Sequence, residues 1–161
     1  MGDESLEYPS RLLSQERPKT SPRAKGAGGP DETVDWASVE QDLNVVRGTN
    51  VNVLVVGAET LVMTVIRRLI ADAPASIVIP CEAGRLPLSR SSLPPGTLVL
   101  RDVDALDADG QALLLEWLGS ASAERQIVST ASASLLPLVN AGRFDDGLYY
   151  RLNTIFIPLG Q

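Results

Sequence analysis

Histidine is absent from this chain, cysteine occurs once, as Cys81, and lysine twice, as Lys19 and Lys25. Without histidine, the chain cannot form a Ser-His-Asp triad or a zinc site with histidine ligands. A single cysteine cannot form an internal disulfide bond, which fits a reducing compartment. Because both lysines lie within residues 1–33, the rest of the chain has no lysine for a phosphate-binding loop or a Schiff base.

Long apolar runs are also missing from the 161 residues. No run approaches the roughly 20 residues that a membrane-spanning helix needs, and the start, MGDESLEYPS, lacks the apolar centre of a secretory signal. The net charge is −6, of which residues 34–161 carry −5, from nine basic and fourteen acidic side chains. An acidic body is a poor match for a nucleic-acid backbone. We therefore expect a cytoplasmic protein that binds neither DNA nor membranes directly.

Composition divides the chain into two parts. Residues 1–33 are rich in proline, glycine, serine and charge and contain few apolar residues. This composition predicts a disordered N-terminal tail, with at most a weak helical turn around residues 6–13. Residues 34–161 contain enough apolar side chains for one folded domain.

Two kinds of apolar segment alternate in residues 34–161. Short β-branched runs predict strands, and apolar residues at three- and four-residue spacing predict helices. The predicted strands span 51–56, 76–80, 97–100, 126–130 and 154–159. The predicted helices span 36–46 after the N-cap Asp35, 61–70, a segment from Asp107 or Asp109 to Gly119, 135–140 and 146–152. This alternation predicts an α/β fold, a five-stranded parallel sheet with helices on both faces.

The segment VNVLVVGAETLVMTVIRRLI, residues 51–70, combines a buried strand, a glycine and an amphipathic helix. In this geometry the amide groups of the helix N-terminus can hold a phosphate. A nucleotide-binding loop, G-x-x-x-x-G-K-[ST], also needs a second glycine and a lysine. Val62 and Met63 stand at those two positions after Gly57, and Thr64 follows them. The sequence therefore predicts the scaffold of a phosphate loop without its charged chemistry.

Three stretches resemble the central AAA+ ATPase domain of NtrC-type, sigma-54-dependent transcriptional activators. They are VLVVGAETLVMTVIRRL (53–69), GTLVLRDVDALDADGQALLLEWL (96–118) and GRFDDGLYYRLNTIFIPL (142–159). The second is similar to the family's GTLFLDEI segment, and the third to its G-R-F-R-x-D-L-Y-Y-R-L-N segment, of which LYYRLN is the most specific string. The resemblance implies a P-loop NTPase-like three-layer sandwich, with ATP and Mg²⁺ as the family's cofactors. The family's C-terminal lid domain has no counterpart in this sequence, so we expect no lid domain.

The differences from the family lie where ATP chemistry would occur. Met63 replaces the phosphate-binding lysine, Arg101 the magnesium-side aspartate and Asp102 the catalytic glutamate. We therefore interpret Gly57, Met63, Thr64 and Asp102 as vestigial nucleotide-binding residues. We expect no catalytic residue, no bound cofactor and no metal.

Three further differences follow from the same comparison. Ala131 replaces a polar asparagine of the family, and Asp145 replaces the first of two paired arginines, of which Arg151 is the second. Loss of such an arginine alone lowers phosphoryl-transfer rates by about 10³–10⁵. The family's G-A-F-T-G-A loop, which contacts sigma-54, would fall in residues 82–95, and that string is absent. Contact with sigma-54 therefore cannot be inferred from matching residues.

Several of these residues also have a structural interpretation. Gly57 is expected to be the turn residue between strand and helix. Arg101 is expected to pair locally with Asp102 and Asp104 at a strand end. Cys81 is expected to be a small buried apolar residue, with nothing nearby that would lower the pKa of its thiol.

Tyr149, Tyr150 and Arg151 are the candidate interface residues, since the resembling family uses this region between protomers. Alternatively, the tyrosines pack under the sheet with their hydroxyl groups at its rim. The sequence leaves both interpretations open.

A second resemblance is to the receiver domain of response regulators, in residues 51–70 and 97–118. It implies the same fold class, with Asp102 as phosphate acceptor and Ser129 or Thr130 as the switch hydroxyl. Gly57 and Ala58 stand at the positions of the receiver's magnesium-binding acidic pair. LYYRLN has no counterpart in a receiver domain, so the activator resemblance is preferred.

These observations predict a non-catalytic remnant of a sigma-54 activator AAA+ core, acting as a regulatory or protein-interaction module linked to transcription. The expected partner is an intact activator, a kinase or a transcription component. The alternatives are a residual ATP-binding protein of the same family and a degenerate receiver-like signalling module. The sequence does not indicate an oligomeric state.

Overall fold

A computed structural model describes residues 34–73, 75–82, 86–88, 95–120 and 125–160. The predicted tail, residues 1–33, lies outside the described residues. The strands are β1 (Val53–Gly57), β2 (Ser76–Pro80), β3 (Gly96–Arg101), β4 (Arg125–Ala131) and β5 (Ile155–Leu159). The helices are α1 (Trp36–Val46), α2 (Glu59–Ile70), α3 (Ala108–Ser120), α4 (Leu136–Asn140) and α5 (Asp146–Leu152), with a 3₁₀ turn at Val103–Ala105. Among these residues no helix has the length and apolar character that a bilayer crossing requires.

The strands form one parallel sheet in the order β2-β3-β4-β1-β5, which confirms the predicted fold class. β1 pairs with β4 on one side and with β5 on the other. All five residues of β1 are buried, which accounts for the continuous apolar run in the sequence. Pro158 lies in β5, where it is tolerated because β5 is an edge strand.

The direction of each connection determines which face of the sheet a helix covers. Parallel crossovers are right-handed, so connections that run in opposite directions across the sheet place their helices on opposite faces. The connection from β1 to β2 carries α2, which packs with α1 against the side chains of Val53 and Val55. The connections from β3 to β4 and from β4 to β5 run in the opposite direction across the sheet. They carry α3 and α5, which pack against the side chains of Leu54 and Val56. Helices therefore cover both faces of the sheet.

Aspartates cap the starts of three helices, α1, α3 and α5. Asp35 accepts hydrogen bonds from two amide groups of the first turn of α1, and α1 has the predicted bounds. Asp107 accepts a hydrogen bond of 2.8 Å from the amide of Gly110, so it is the better of the two predicted caps for α3. The predicted end of α3 at Gly119 is one residue short. The helix includes Ser120, whose hydroxyl group donates back to a carbonyl of the preceding turn.

The buried amide of Gln111 joins three segments on the α3 side of the sheet. Its Nε2 donates to the carbonyl oxygens of Leu106 at 2.9 Å and Arg143 at 3.1 Å. Its Oε1 accepts a hydrogen bond of 2.8 Å from the amide of Asp145. Gln111 therefore fixes the position of the segment that leads into α5.

Candidate functional site at the carboxyl ends of the strands

The candidate site lies where β1, β3 and β4 end, at one edge of the sheet. The chain leaves β1 toward one face and β4 toward the other, and ligands of open α/β sheets bind in the crevice at such a switch point. A cavity there is lined by Gly57, Glu59, Val62, Met63, Arg101, Asp102, Thr130, Ala131 and Ser132. The structure therefore brings together three of the four predicted vestigial residues, Gly57, Met63 and Asp102.

Thr64, the fourth predicted residue, does not line this cavity. Its hydroxyl group donates a hydrogen bond of 2.9 Å to the carbonyl oxygen of Thr60, one turn earlier in α2. A hydroxyl group with this partner is satisfied within its own helix, which such back-bonding bends and slightly destabilises. Thr64 is thus directed along its own helix.

Gly57 ends β1 in close contact with β5. A Cβ atom at Gly57 would lie 2.7 Å from both the Cβ atom and the carbonyl oxygen of Leu159. Such a contact forces a shift of the backbone of β5, because the obstructing oxygen belongs to the main chain. The absence of a side chain at Gly57 therefore allows β5 to pack closely against the end of β1.

Arg101 pairs across the site with Glu59. Arg101 Nη2 lies 2.8 Å from Glu59 Oε1 and 3.9 Å from Asp102 Oδ2. The prediction of a purely local partner was incomplete, because the shorter contact reaches a residue 42 positions earlier. Glu59 begins α2, where the helix dipole favours a negative charge. Sequence reasoning missed Glu59, whose only signal is an acidic residue two positions before the predicted helix 61–70.

Asp102 has an unusual backbone conformation directly after β3. It is the one non-glycine residue with a positive φ in the described part of the chain, at φ 59° and ψ 50°. Its amide donates a hydrogen bond of 3.0 Å to Thr130 Oγ1 at the end of β4. A left-handed conformation costs about 1–2 kcal/mol for most residues and less for aspartate. The hydrogen bond to Thr130 compensates part of this strain and fixes the end of β3 relative to β4.

Cys81 follows β2 and is 4% exposed, which confirms the prediction of a buried cysteine. Burial, and secondarily the carboxylates of Asp102 and Asp104, raises the pKa of the Cys81 thiol from 9.0 to about 12. A thiol that stays protonated is a poor nucleophile. Cys81 therefore adds no reactive group to the site.

The side chains at this edge do not fit MgATP. The cavity measures about 30 Å³, whereas small-molecule sites commonly measure about 300–1,000 Å³. The guanidinium group of Arg101 has no lone pair for a metal ion, and Met63 cannot neutralise phosphate charge. Among the described residues, no group of three or more acidic, histidine or cysteine side chains is placed to hold a metal ion.

The candidate interface residues lie away from this cavity. The carbonyl oxygen of Arg151 accepts a hydrogen bond of 2.8 Å from Asn52 Nδ2, and Asn52 directly precedes β1. This end of α5 therefore lies at the amino edge of the sheet, about 16 Å along β1 from Gly57. Tyr149 is partly buried against the core, whereas Tyr150 is 71% exposed. The two rings meet edge to face with centroids 5.3 Å apart.

The fold and its switch-point crevice define a P-loop NTPase-like α/β domain, and two solved structures share it. One is NtrX from Brucella abortus in complex with ATP, with a TM-score of 0.56 and 15% identity over 83% of this chain and 36% of that one. The other is the P-loop NTPase domain of the sigma-54 transport activator from E. coli, with a TM-score of 0.55 and 17% identity over 78% and 94%. This chain thus spans about a third of NtrX, and at these identities the likenesses show the fold alone.

The family is shown by the sequence match. The family model of the sigma-54 interaction domain matches residues 32–160, so this chain belongs to the sigma-54 interaction domain family. No curated protein matches the chain significantly. The match confirms the activator resemblance and favours it over the receiver resemblance.

Proposed function

We propose that this chain is a non-catalytic member of its family, a cytoplasmic module that regulates transcription through contacts with other proteins. The observation that carries the proposal is the 2.8 Å ion pair between Arg101 and Glu59 at the ends of β3 and α2. The pair supplies a cation and an anion from the chain itself, at the edge of the sheet where the family's fold would hold Mg²⁺ and phosphate.

Electrostatics supports exclusion of a nucleotide from this edge. A triphosphate that approached the first turn of α2 would meet the Glu59 carboxylate, which already interacts with the positive end of the helix dipole. Binding of the triphosphate would require separation of Glu59 from Arg101. The uncharged side chain of Met63 would not neutralise the phosphate charge. Among the described residues that line the cavity, Arg101 carries the positive charge, and it already interacts with Glu59 and Asp102.

The proposed partner is a protein: an intact activator, a kinase or another transcription component. Tyr150 supports such a contact, because a tyrosine that is 71% exposed presents a large amphipathic ring to solvent, and tyrosine is enriched at protein interfaces. Arg151 lies beside it in the last turn of α5 and is exposed. Direct contact with DNA is disfavoured by the acidic charge of residues 34–161.

ATP hydrolysis tests the non-catalytic part of the proposal. The full-length protein is expected to hydrolyse ATP no faster than a buffer control, and turnover above this background would contradict the proposal. The variant Met63→Lys/Arg101→Asp/Ala131→Asn restores three family residues at the cavity and serves as a comparison for nucleotide binding. Circular dichroism and urea denaturation establish that the variant is folded.

Co-purification from the native cells tests the interaction part. A specific partner is expected to be lost with Tyr150→Ala and retained with Val45→Ala, a matched control, since Val45 is 66% exposed on α1 at the other face of the sheet. Equal recovery of the partner with both variants would remove Tyr150 from the interface.

A further inference from the structure

A groove of about 470 Å³ lies beside α3, on the face of the sheet opposite α1 and α2. We call it the α3 groove. Its lining includes Ala112, Leu115, Glu116, Arg143, Phe144 and Asp145. The α3 groove is separate from the candidate site at the carboxyl ends of the strands and does not include Tyr150.

The α3 groove has an apolar floor and a mainly acidic rim. Phe144, which is 3% exposed, and the half-buried Leu115 form the floor, and the small exposed side chain of Ala112 leaves the groove open. Glu116 and Asp145 place two carboxylates at the rim, against one guanidinium group from Arg143. The groove thus suits a segment that combines apolar side chains with positive charge.

Charge distinguishes between the occupants that this chain itself could supply. A second copy is disfavoured, because residues 34–161 of each copy carry −5 and the rims repel one another. Residues 11–25 have the opposite character, with five basic side chains and one acidic side chain. They include both lysines of the chain and the adjacent pair Leu12 and Leu13, next to Arg11.

Residues 11–25 are connected closely enough to occupy the groove. Twenty residues separate Leu13 from Val34, the first described residue, and a chain of that length can reach at most about 70 Å. A domain of the size of residues 34–161 has a radius of gyration of about 14 Å. Because the segment belongs to the same chain, its contact with the groove is intramolecular, which raises the effective concentration of the segment.

We propose that residues 11–25 dock into the α3 groove of the same chain. Leu12 and Leu13 contact the apolar floor, and the basic side chains lie opposite Glu116 and Asp145. This proposal does not depend on whether the carboxyl edge of the sheet binds nucleotide.

Zero-length carbodiimide cross-linking of the full-length protein tests the proposal. The reagent joins a lysine amine to a carboxylate as an amide with loss of water, and Lys19 and Lys25 are the only lysines. The expected products are monomeric, with Lys19 or Lys25 joined to Glu116 or Asp145, as mapped by peptide mass spectrometry. Cross-linked dimers would instead assign the groove to a second copy. Links spread over other carboxylates, or none, would overturn the proposal.

Two variants and a matched control make the test specific. Leu12→Ser/Leu13→Ser leaves every charge in place and is expected to reduce the yield of the Glu116 and Asp145 links about tenfold, because it removes the apolar contact. Glu116→Gln is expected to remove only its own link. Glu82→Gln removes an exposed carboxylate outside the groove and is expected to change neither link. An unchanged yield with Leu12→Ser/Leu13→Ser would mean that charge alone attracts the segment, which would contradict docking in the groove.

Discussion

Arg101 and Glu59 join the carboxyl end of β3 to the first turn of α2 through a contact of 2.8 Å between Nη2 and Oε1. The two residues are 42 positions apart, so the pair depends on the folded sheet. The Arg101 side chain is 29% exposed and that of Glu59 is 76% exposed, which places the pair at the surface of the crevice. In the proposed function the pair acts through the charge that it presents at the crevice.

The contribution of this ion pair to stability should be small. Surface pairs contribute about 0–1 kcal/mol because solvent screens them. A double-mutant cycle with Arg101→Gln and Glu59→Gln, measured by urea denaturation, is expected to give a coupling free energy below about 1 kcal/mol. A coupling of several kcal/mol would show that the pair is chiefly a structural element.

Gly57 should tolerate no side chain. In Gly57→Ala the new Cβ atom would lie 2.7 Å from the main chain of Leu159, and such overpacking is expected to lower the free energy of unfolding by about 1–3 kcal/mol. Gly119→Ala is the matched control, because its Cβ atom would lie 3.7 Å from Arg151 Nη1. Within α3 that change is expected to be neutral or to stabilise by up to about 1 kcal/mol. Equal effects of the two substitutions on urea denaturation would contradict the proposed contact with β5.

Gln111 should be essential for stability. Gln111→Leu removes three hydrogen bonds from a side chain of a residue that is 5% exposed. Buried polar groups left without partners are expected to lower the free energy of unfolding by about 2–4 kcal/mol. Gln41→Leu, an exposed position on α1, is expected to change it by less than about 0.5 kcal/mol. Similar midpoints for both variants in thermal or urea denaturation would refute this role of Gln111.

Cys81 should make the protein less stable in alkaline solution. Because the pKa of its thiol rises from 9.0 to about 12 on folding, the folded chain binds this proton more tightly than the unfolded chain. The thiol therefore has no effect on the pH dependence below about pH 9, and its contribution is lost progressively between about pH 9 and about pH 12. The slope approaches about 1.4 kcal/mol per pH unit.

The control for this prediction is Cys81→Ala. Stability is measured by urea denaturation at about pH 8 and about pH 10 for both proteins, and the loss between the two pH values is expected to be smaller in the variant by about 1 kcal/mol. Identical losses would show that Cys81 does not contribute.

The sequence predicted the regular elements well where local signals are strong. α1, β2 and α5 have the predicted bounds, since an aspartate cap or a turn residue marks an end of each. α2 begins two residues earlier than predicted, at Glu59, because the first turn of a helix needs no apolar side chain. Likewise β3 extends through Gly96 and Arg101, since its main-chain pairing continues past the apolar run.

The site was predicted only in part. The turn from β1 into α2 and the ends of β3 and β4 do converge on one cavity, as the parallel sheet requires. The pairing of Arg101 with Glu59 could not be predicted, because contacts between long, exposed side chains depend on the tertiary arrangement. The different exposures of Tyr149 and Tyr150 follow from the rotation of α5 against the core, which a seven-residue helix does not reveal in its sequence.

Titration of the full-length protein with MgATP in an isothermal calorimeter tests the central claim most directly. With the Arg101–Glu59 pair at the crevice and no lysine in residues 34–161, we predict no saturable heat up to about 1 mM nucleotide. Saturable one-to-one binding with a dissociation constant in the micromolar range would contradict the account.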